Sequence, residues 1–444
     1  MEKQNTIIER VENGFWPLRR WNSFSPVIPR PEGNPVGGGY FLQWDEEGIV
    51  IDPGYNFLEN FLYIGGQPKD IDSIILTHNH PDHDANVERI FTALHEMNDR
   101  KDPEEDPKKI KLFFNQTTKW KYMWAMDYEM DIVSPDSFTL KVGNCQEISD
   151  NIEVEPIEAF HKELIGYSSI GLKLYLKKNN KVKFRIGITG DTTIPAAGIK
   201  KLAKPLEDCD IVVAHLGTLD IGNLLQAVEF GDNIDKRIQN IINDFNLKFN
   251  FKNPEEKAIT AKVLNCKEDN SRDELDDRDQ IKFNNEELIR LLKGNGNKKE
   301  DDHLGLKGVY DIFNYLFNKK EPNENIIGII SEFGEEVGSQ RHKIARTLNR
   351  KLLGDESGKK GKSILTGDTN LTINLDSGEC PECEDSYKVG FRCARCKDFF
   401  CSKCIEELCI KHRDKRIYYN CSNCYNLEYN PPRGEALPLQ RLKD

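Results

Sequence analysis

The sequence predicts an α/β protein whose strands and helices build one layered core, followed by a small cysteine-rich unit. Three observations carry that expectation. From about Gly37 to Leu216, short apolar runs alternate with turn signals, as in YFLQW, GIVIDPG, SIILTH, KLFFN, FRIGITGD and DIVVAH. Stretches of helical period lie between them, and nine of the twelve cysteines crowd between Cys380 and Cys424. Short apolar runs bounded by turns are strand-like, and their alternation with helical stretches favours a shared α/β layer system.

Taken in order, the run SIILTH at 73–78 is a strand that stops at Thr77. The residues after Asp84 are expected to be helical, because Val87, Ile90, Phe91 and Leu94 recur on one face. From 217 to 302 the texture turns polar, as in KEDNSRDELDDRDQ, with helical patterns only in IDKRIQNIINDF and NEELIRLLK; this reads as an insertion. The core resumes at 303, with Val309, Ile312, Phe313, Leu316 and Phe317 on one helical face and then the strand IIGIIS. SILTGDTNLTINL, which contains Asp368, follows these elements and reads as a hairpin. The expected division is 1–216 and 303–376 for the two parts of the core, 217–302 for the insertion and 377–444 for the cysteine unit.

At 444 residues the chain is too long for one ordinary core. A composition of 38% hydrophobic and 31% charged residues is that of a polar globular protein, and no apolar stretch approaches the roughly 20 residues that cross a bilayer. The opening MEKQNTIIER has no apolar signal region, so a cytoplasmic location is expected. The net charge of −12 argues against a nonspecific grip on nucleic acid over the whole surface, although a local basic cleft is compatible with it.

The stretch IILTHNHPDHD at 74–84 places three histidines and two aspartates directly behind a strand, a density that calls for metal. His-x-His-x-Asp-His at 78–83 between a strand and a helix resembles the signature of the metallo-β-lactamase fold superfamily. IDPG at 51–54, the lone His161 after EVEPIEAF, and Asp191 in ITGD extend the resemblance in the required order over roughly residues 15 to 335. The resemblance implies an αββα sandwich and a centre of two divalent ions, zinc or manganese. His78, His80 and His161 would hold the first ion and Asp82 and His83 the second, with Asp191 bridging and Asp52 orienting the loop.

The family's last ligand is a histidine after the final core strand; here Glu332 follows IIGIIS. Element counting assigns the place to Glu332, with His215 and His303 as competitors, and a carboxylate there would favour Mn²⁺. In ribonuclease Z-like members a helix-opening histidine assists protonation of the leaving group, partnered by an acid. His303 matches the opener, and His215 stands where the acid is expected. The resemblance therefore implies catalytic roles for Asp82, His303 and His215. Ordinary solvated or packing roles suit His95, His342 and His412, and Gly37–Gly39 reads as a loop. The run Arg341, His342, Lys343, Arg346, Arg350 and Lys351 reads as a solvated amphipathic helix, with phosphate contact as the competing role.

Cys380-x2-Cys383, Cys393-x2-Cys396, Cys401-x2-Cys404 and Cys421-x2-Cys424 supply eight thiolates, enough for two tetrahedral zinc sites. RCARCKDFFCSKC resembles the FYVE-like, treble-clef cross-brace fingers, which implies that the first and third pairs share one ion and the second and fourth the other, with Cys409 and His412 as spares. The basic cluster of lipid-binding members is missing, so phosphoinositide binding is not expected. Metal should supply most of this unit's folding energy, and a chain ending near Asp376 is expected to keep its core folded.

The function expected from these features is that of a dinuclear metal-dependent hydrolase, a phosphodiesterase or nuclease using a metal-bridging hydroxide. The zinc unit would dock a macromolecular substrate or a protein partner. Hydrolysis of thioesters or lactones, and a partner-binding regulatory role with a vestigial metal centre, are the alternatives. Nucleic acid as partner and self-association stay open.

Overall fold

A computed structural model of the chain describes residues 12–19, 37–128, 132–162, 168–195, 197–217, 247–250, 281–284, 303–319, 326–331, 341–353, 362–369, 371–393, 396, 398–402, 404–409 and 417–421. The first half builds one sheet. Strands β1 (Gly14–Pro17), β2 (Tyr40–Trp44) and β3 (Glu47–Ile51) run antiparallel. After helix α1 (Phe57–Tyr63) the sheet continues in parallel through β4 (Ser73–Leu76), with Ile51 opposite Ile75. The short helix α2 (Pro81–Asp84) and α3 (Val87–Asp99) lead to β5 (Lys111–Phe114), and α4 (Gln116–Tyr128) leads to β6 (Phe138–Thr139).

The second sheet opens as an antiparallel meander, β7 (Gln146–Ser149), β8 (Ile152–Lys162), β9 (Ser168–Lys178) and β10 (Lys181–Ile188). Asn179 and Asn180, at φ 54° and 58°, make the two-residue turn between β9 and β10, where asparagine tolerates the left-handed conformation that the strand twist demands. Helix α5 (Lys200–Ala203) then leads to β11 (Ile211–His215), parallel to β10. Within the insertion, β12 (Leu247–Asn250) and β13 (Ile281–Asn284) pair in parallel; its two expected helices lie outside the described residues. Helix α6 (Leu306–Lys319), β14 (Ile326–Ser331), α7 (Arg341–Leu353) and β15 (Lys362–Thr366) complete this sheet in parallel.

Strand alternation assigns each side chain to a layer. Tyr40, Leu42, Ile49, Ile51 and Ile75 face Leu172, Leu174, Ile186, Val213 and Ile329 between the sheets. Their neighbours Phe41, Val50, Ile74 and Leu76 turn outward against Phe57, Phe61, Val87, Ile90 and Leu94 of α1 and α3. On the far side, Val212, Ala214 and Ile330 meet Val309, Ile312, Phe313 and Leu316 of α6, all buried as their helical spacing predicts. The result is a four-layer αββα sandwich. The parallel strands are covered on both faces, which is why they read as continuous apolar runs.

Two expectations change. SILTGDTNLTINL is not a hairpin: β15 lies in the second sheet, whereas β16 (Ile373–Asn374) crosses over to pair with β1 of the first. Asp368, between them, is buried and takes the Arg341 guanidinium at 2.6 Å. That pair closes the start of α7, so Arg341 is an internal residue rather than part of a solvated face.

The first sheet also continues beyond 376. After β17 (Gly378–Glu379) and β18 (Ser386–Tyr387), β19 (Gly390–Arg392) pairs with β16, and β20 (Phe399–Phe400) pairs with β19 as the sheet's edge. Gly390 leaves room there for Phe399, since a Cβ would stand 2.1 Å from its ring. A last hairpin, β21 (Ile405–Cys409) and β22 (Ile417–Cys421), brings the Tyr419 hydroxyl to the backbone of Thr366 at the end of β15. The cysteine segment thus extends the core sheet.

Candidate metal centre

The site forms where the C-terminal ends of strands from both sheets meet. On the first sheet, Asp52 directly follows β3 and Thr77 directly follows β4, side by side. Asp52 has a left-handed backbone, φ 48°, an unusual conformation for a residue with a side chain, and it aims its carboxylate across the strand ends. One oxygen accepts the Thr77 N–H at 2.8 Å; the other accepts the Thr77 hydroxyl at 2.7 Å and lies 2.9 Å from His83 Nδ1. Having given its proton to Asp52, the Thr77 hydroxyl accepts from His78 Nδ1, 3.1 Å away. Both rings are thereby held with Nε2 bare and pointing inward, the form that binds a cation.

The loop is held from below as well. Pro81 opens α2 at the position where its missing N–H costs nothing. Gly54 passes under it so closely that a Cβ would stand 1.6 Å from the Asp82 carbonyl. Buried Arg19 donates to the carbonyls of Asp52 and Asp82 at 3.2 and 2.8 Å. Asp84 accepts the Lys121 ammonium at 2.6 Å, fastening α4 to the loop; burial nonetheless pushes its carboxyl up to about 6.

The second sheet delivers His161 near the end of β8, Asp191 after β10, His215 at the end of β11, and His303 just before α6. His80 Nδ1 lies 3.1 Å from His78 Nε2 and 3.0 Å from His161 Nε2. Asp191 Oδ2 stands at the centre, 3.0 Å from His303 Nε2, 3.3 Å from His83 Nε2, 3.7 Å from His78 Nε2 and 4.0 Å from His161 Nε2. Three overlapping sets therefore have their donor atoms within 4.8 Å of one another: His78, His80 and His161; His78, His83 and Asp191; His161, Asp191 and His303.

The electrostatics suit cations. Burial, reinforced by His83, holds His78 well below the ordinary imidazole range, and burial with His161 lowers His80 as well. Burial works against the Asp191 carboxylate, but His83, His303 and the hydrogen bonds from His215 and His303 outweigh it and hold the acid well below its usual range. Neutral imidazoles around an ionised carboxylate are the donor set expected for zinc or a similar divalent ion.

The structure brings together His78, His80, His83, His161 and Asp191, with Asp82 Oδ2 at 3.5 Å from His83 Nε2. His303 joins them, 31% exposed at its side chain and so open to a substrate. His215 is buried, with Nδ1 2.9 Å from Asp191 Oδ1 and Nε2 2.9 Å from the Tyr40 hydroxyl. Both ring nitrogens thus lie against other side chains, Asp191 and Tyr40. Glu332 lies outside the described residues. Sequence reasoning missed Arg19, Tyr40 and Thr77; only Thr77, fixed beside the His-x-His pair, carried a local signal.

The cysteines also converge. Cys380, Cys383, Cys401 and Cys404 form one set with sulfurs within 4.8 Å, and Cys393, Cys396 and Cys421 another; Cys424 lies outside the described residues. The pairing is thus first with third and second with the start of the fourth. Burial opposes the Cys380 thiolate, but the backbone amides of Cys401, Cys383 and Glu382 outweigh it and bring the thiol down to about 7. Burial and the neighbouring Cys401 sulfur push Cys404 up, a conflict that a bound cation would relieve.

Residues 39–106 match the Metallo-beta-lactamase superfamily. Ribonuclease Z of Thermobifida fusca is 44% identical over 64 residues, 14% of this chain and 20% of that protein. Ribonuclease Z of Streptomyces coelicolor is 36% identical over 56 residues, 13% and 19% of the two chains. The match thus spans about a fifth of the length of these curated relatives. Among solved structures, the metallo-beta-lactamase fold protein YhfI of Bacillus subtilis overlaps 81% of this chain and 98% of its own, with a TM-score of 0.46 and 7% identity. No helix among the described residues is long and apolar enough to cross a membrane. The match to the Metallo-beta-lactamase superfamily at residues 39–106 thus lies within a four-layer αββα architecture that carries the ordered His and Asp motifs.

Proposed function

We propose that this chain is a metal-dependent phosphodiesterase, with an RNA phosphodiester as its favoured substrate class. The observation that carries the reading is Asp191 Oδ2 at the focus of four imidazole nitrogens, all within 4.0 Å. His78, His80 and His161 would hold one ion, and His83, Asp82 and Asp191 a second, with Glu332 completing that side. Ions bound there would neutralise charge on a phosphodiester and lower the pKa of water. His303, the partly exposed member, would hold a proton at Nε2 for the leaving oxygen. Similarity to two ribonuclease Z sequences, over 64 and 56 residues, supports RNA. Thiolate zinc in the cysteine sets would pin the sheet edge formed by β19 and β20.

The test is Mn²⁺- or Zn²⁺-dependent turnover of bis(p-nitrophenyl) phosphate and of a single-stranded RNA, compared with Asp82→Ala. Turnover that the variant abolishes is expected. Fully loaded protein that cleaves thioesters or lactones but neither phosphodiester would replace this reading.

A further inference from the structure

Helix α4 keeps one apolar face in the core and shows another to solvent. The Asn115 side chain opens the helix by accepting the Thr118 N–H at 2.9 Å. Tyr122 and Ala125 are buried in the cluster that covers the outer face of the first sheet. Trp120, Met123 and Trp124 fall on the opposite arc of the helix and are 45%, 46% and 41% exposed. Trp124 is braced there, its ring edge-on to Phe91 of α3 with centroids 6.4 Å apart. Large apolar side chains grouped on one exposed face mark a site of interaction.

That face lies beside the His-rich loop. Strand β5 runs parallel to β4 with Phe114 opposite Leu76, so α4 starts next to Thr77 and the histidines that follow it. Lys121 holds Asp84, the neighbour of His83, at 2.6 Å, and the Tyr122 hydroxyl donates to the Asp84 carbonyl at 3.3 Å. In a chain of net charge −12, the residues from Gln116 to Met126 include two lysines, Lys119 and Lys121, and no acid. Lys121 remains 40% exposed at its side chain while paired with Asp84. The stretch KWKYMW at 119–124 thus sets cations between rings on a helix fastened to the loop.

Rings and cations interleaved in this way suit a single-stranded polyanion with flat bases. Trp120 and Trp124 are one turn apart, about 6 Å along the axis, so two bases of one strand can stack on them while the lysines attract its phosphates. A second copy of the chain fits less well. A stable dimer buries about 800 Å² per partner, of which three half-exposed side chains are a small part, and lysine is depleted in such interfaces.

We propose that the outer face of α4 docks single-stranded RNA, with Trp120 and Trp124 stacking its bases and Lys119 and Lys121 attracting its phosphates. That the docked strand runs on into the metal centre rests on the phosphodiesterase reading above; the stacking itself does not.

The test is fluorescence anisotropy of a labelled single-stranded oligoadenylate added to the full chain carrying Asp82→Ala, so that the strand is not cut, with RNA turnover by the parent chain measured alongside. Trp120→Ala and Trp124→Ala should each weaken binding by about 10-fold or more, the usual effect of removing a stacking ring, and Trp120→Phe should keep most of the affinity. Lys119→Gln should lessen the salt dependence of binding by about one phosphate contact. Circular dichroism and melting of the Trp120 variants should match the parent. RNA that the parent cuts, with affinity untouched by either alanine variant, overturns the docking surface and leaves the phosphodiesterase standing. RNA held through the two rings but never cut supports the surface and removes RNA as the substrate. Trp120→Ala that turns a dimer into a monomer in sedimentation, with RNA affinity unchanged, gives the face to a second copy and overturns the proposal. RNA neither bound nor cut overturns both readings.

Discussion

A chain ending at Asp376 should have a strongly destabilised core, contrary to what the knuckle-like cysteine spacing suggests. The removed segment contributes Tyr387, Val389, Phe391, Phe399, Phe400 and Tyr419 to the cluster between the sheets, each no more than 9% exposed. At about 1.5–3 kcal/mol per buried large side chain, these represent on the order of 10 kcal/mol. Discounting half for contacts within the segment still leaves about 5 kcal/mol, comparable with the entire net stability of many domains. Losing Tyr419 also strips the Thr366 backbone of its hydrogen-bonding partner. Circular dichroism melting of the shortened and full chains measures this directly. A loss of about 5 kcal/mol lowers the melting temperature by more than about 10 °C in a domain of this size. Cooperative melting within a few degrees of the full chain would refute the reasoning and restore the separable unit.

Three further outcomes follow from the site. Because the folded protein lowers the His78 and His80 pKa values, protons compete for these nitrogens only at lower pH; metal should stay bound as pH falls through 6.5, the ordinary imidazole value, and leave below it, as dialysis with metal analysis would reveal. Asp52→Ala frees His83 Nδ1 and Thr77 and should weaken metal binding by about 10- to 100-fold, measured by Mn²⁺ titration; an unchanged affinity would remove Asp52 from the account. Cys404→Ser should lower the thiolate-bound zinc by one ion per chain and reduce the melting temperature, both read on the purified full chain.

The metal centre was legible because its signals are local and specific in residue type. His-x-His-x-Asp-His behind an apolar strand announces itself, the family resemblance built on it implied Asp52, His161 and Asp191, and the helical faces of α3 and α6 follow from spacing alone. What stayed hidden depends on partners distant in the chain. His215 reads as a reactive histidine until Tyr40, 175 positions away, is found against Nε2. SILTGDTNLTINL has the apolar texture of two short strands in either case, and only the pairing of β15 with β14 and of β16 with β1 shows that they belong to different sheets. The cysteine spacing speaks of metal, and it is silent on whether Phe391 packs at home or against the core.

The number and position of ions in the His/Asp cluster test the central claim most directly. Anomalous scattering recorded at the zinc or manganese edge from crystals of metal-loaded protein should show two peaks about 3.5–4 Å apart beside Asp191, one among His78, His80 and His161 and one beside His83. No peak at this cluster in protein whose cysteine sites are filled would contradict the account.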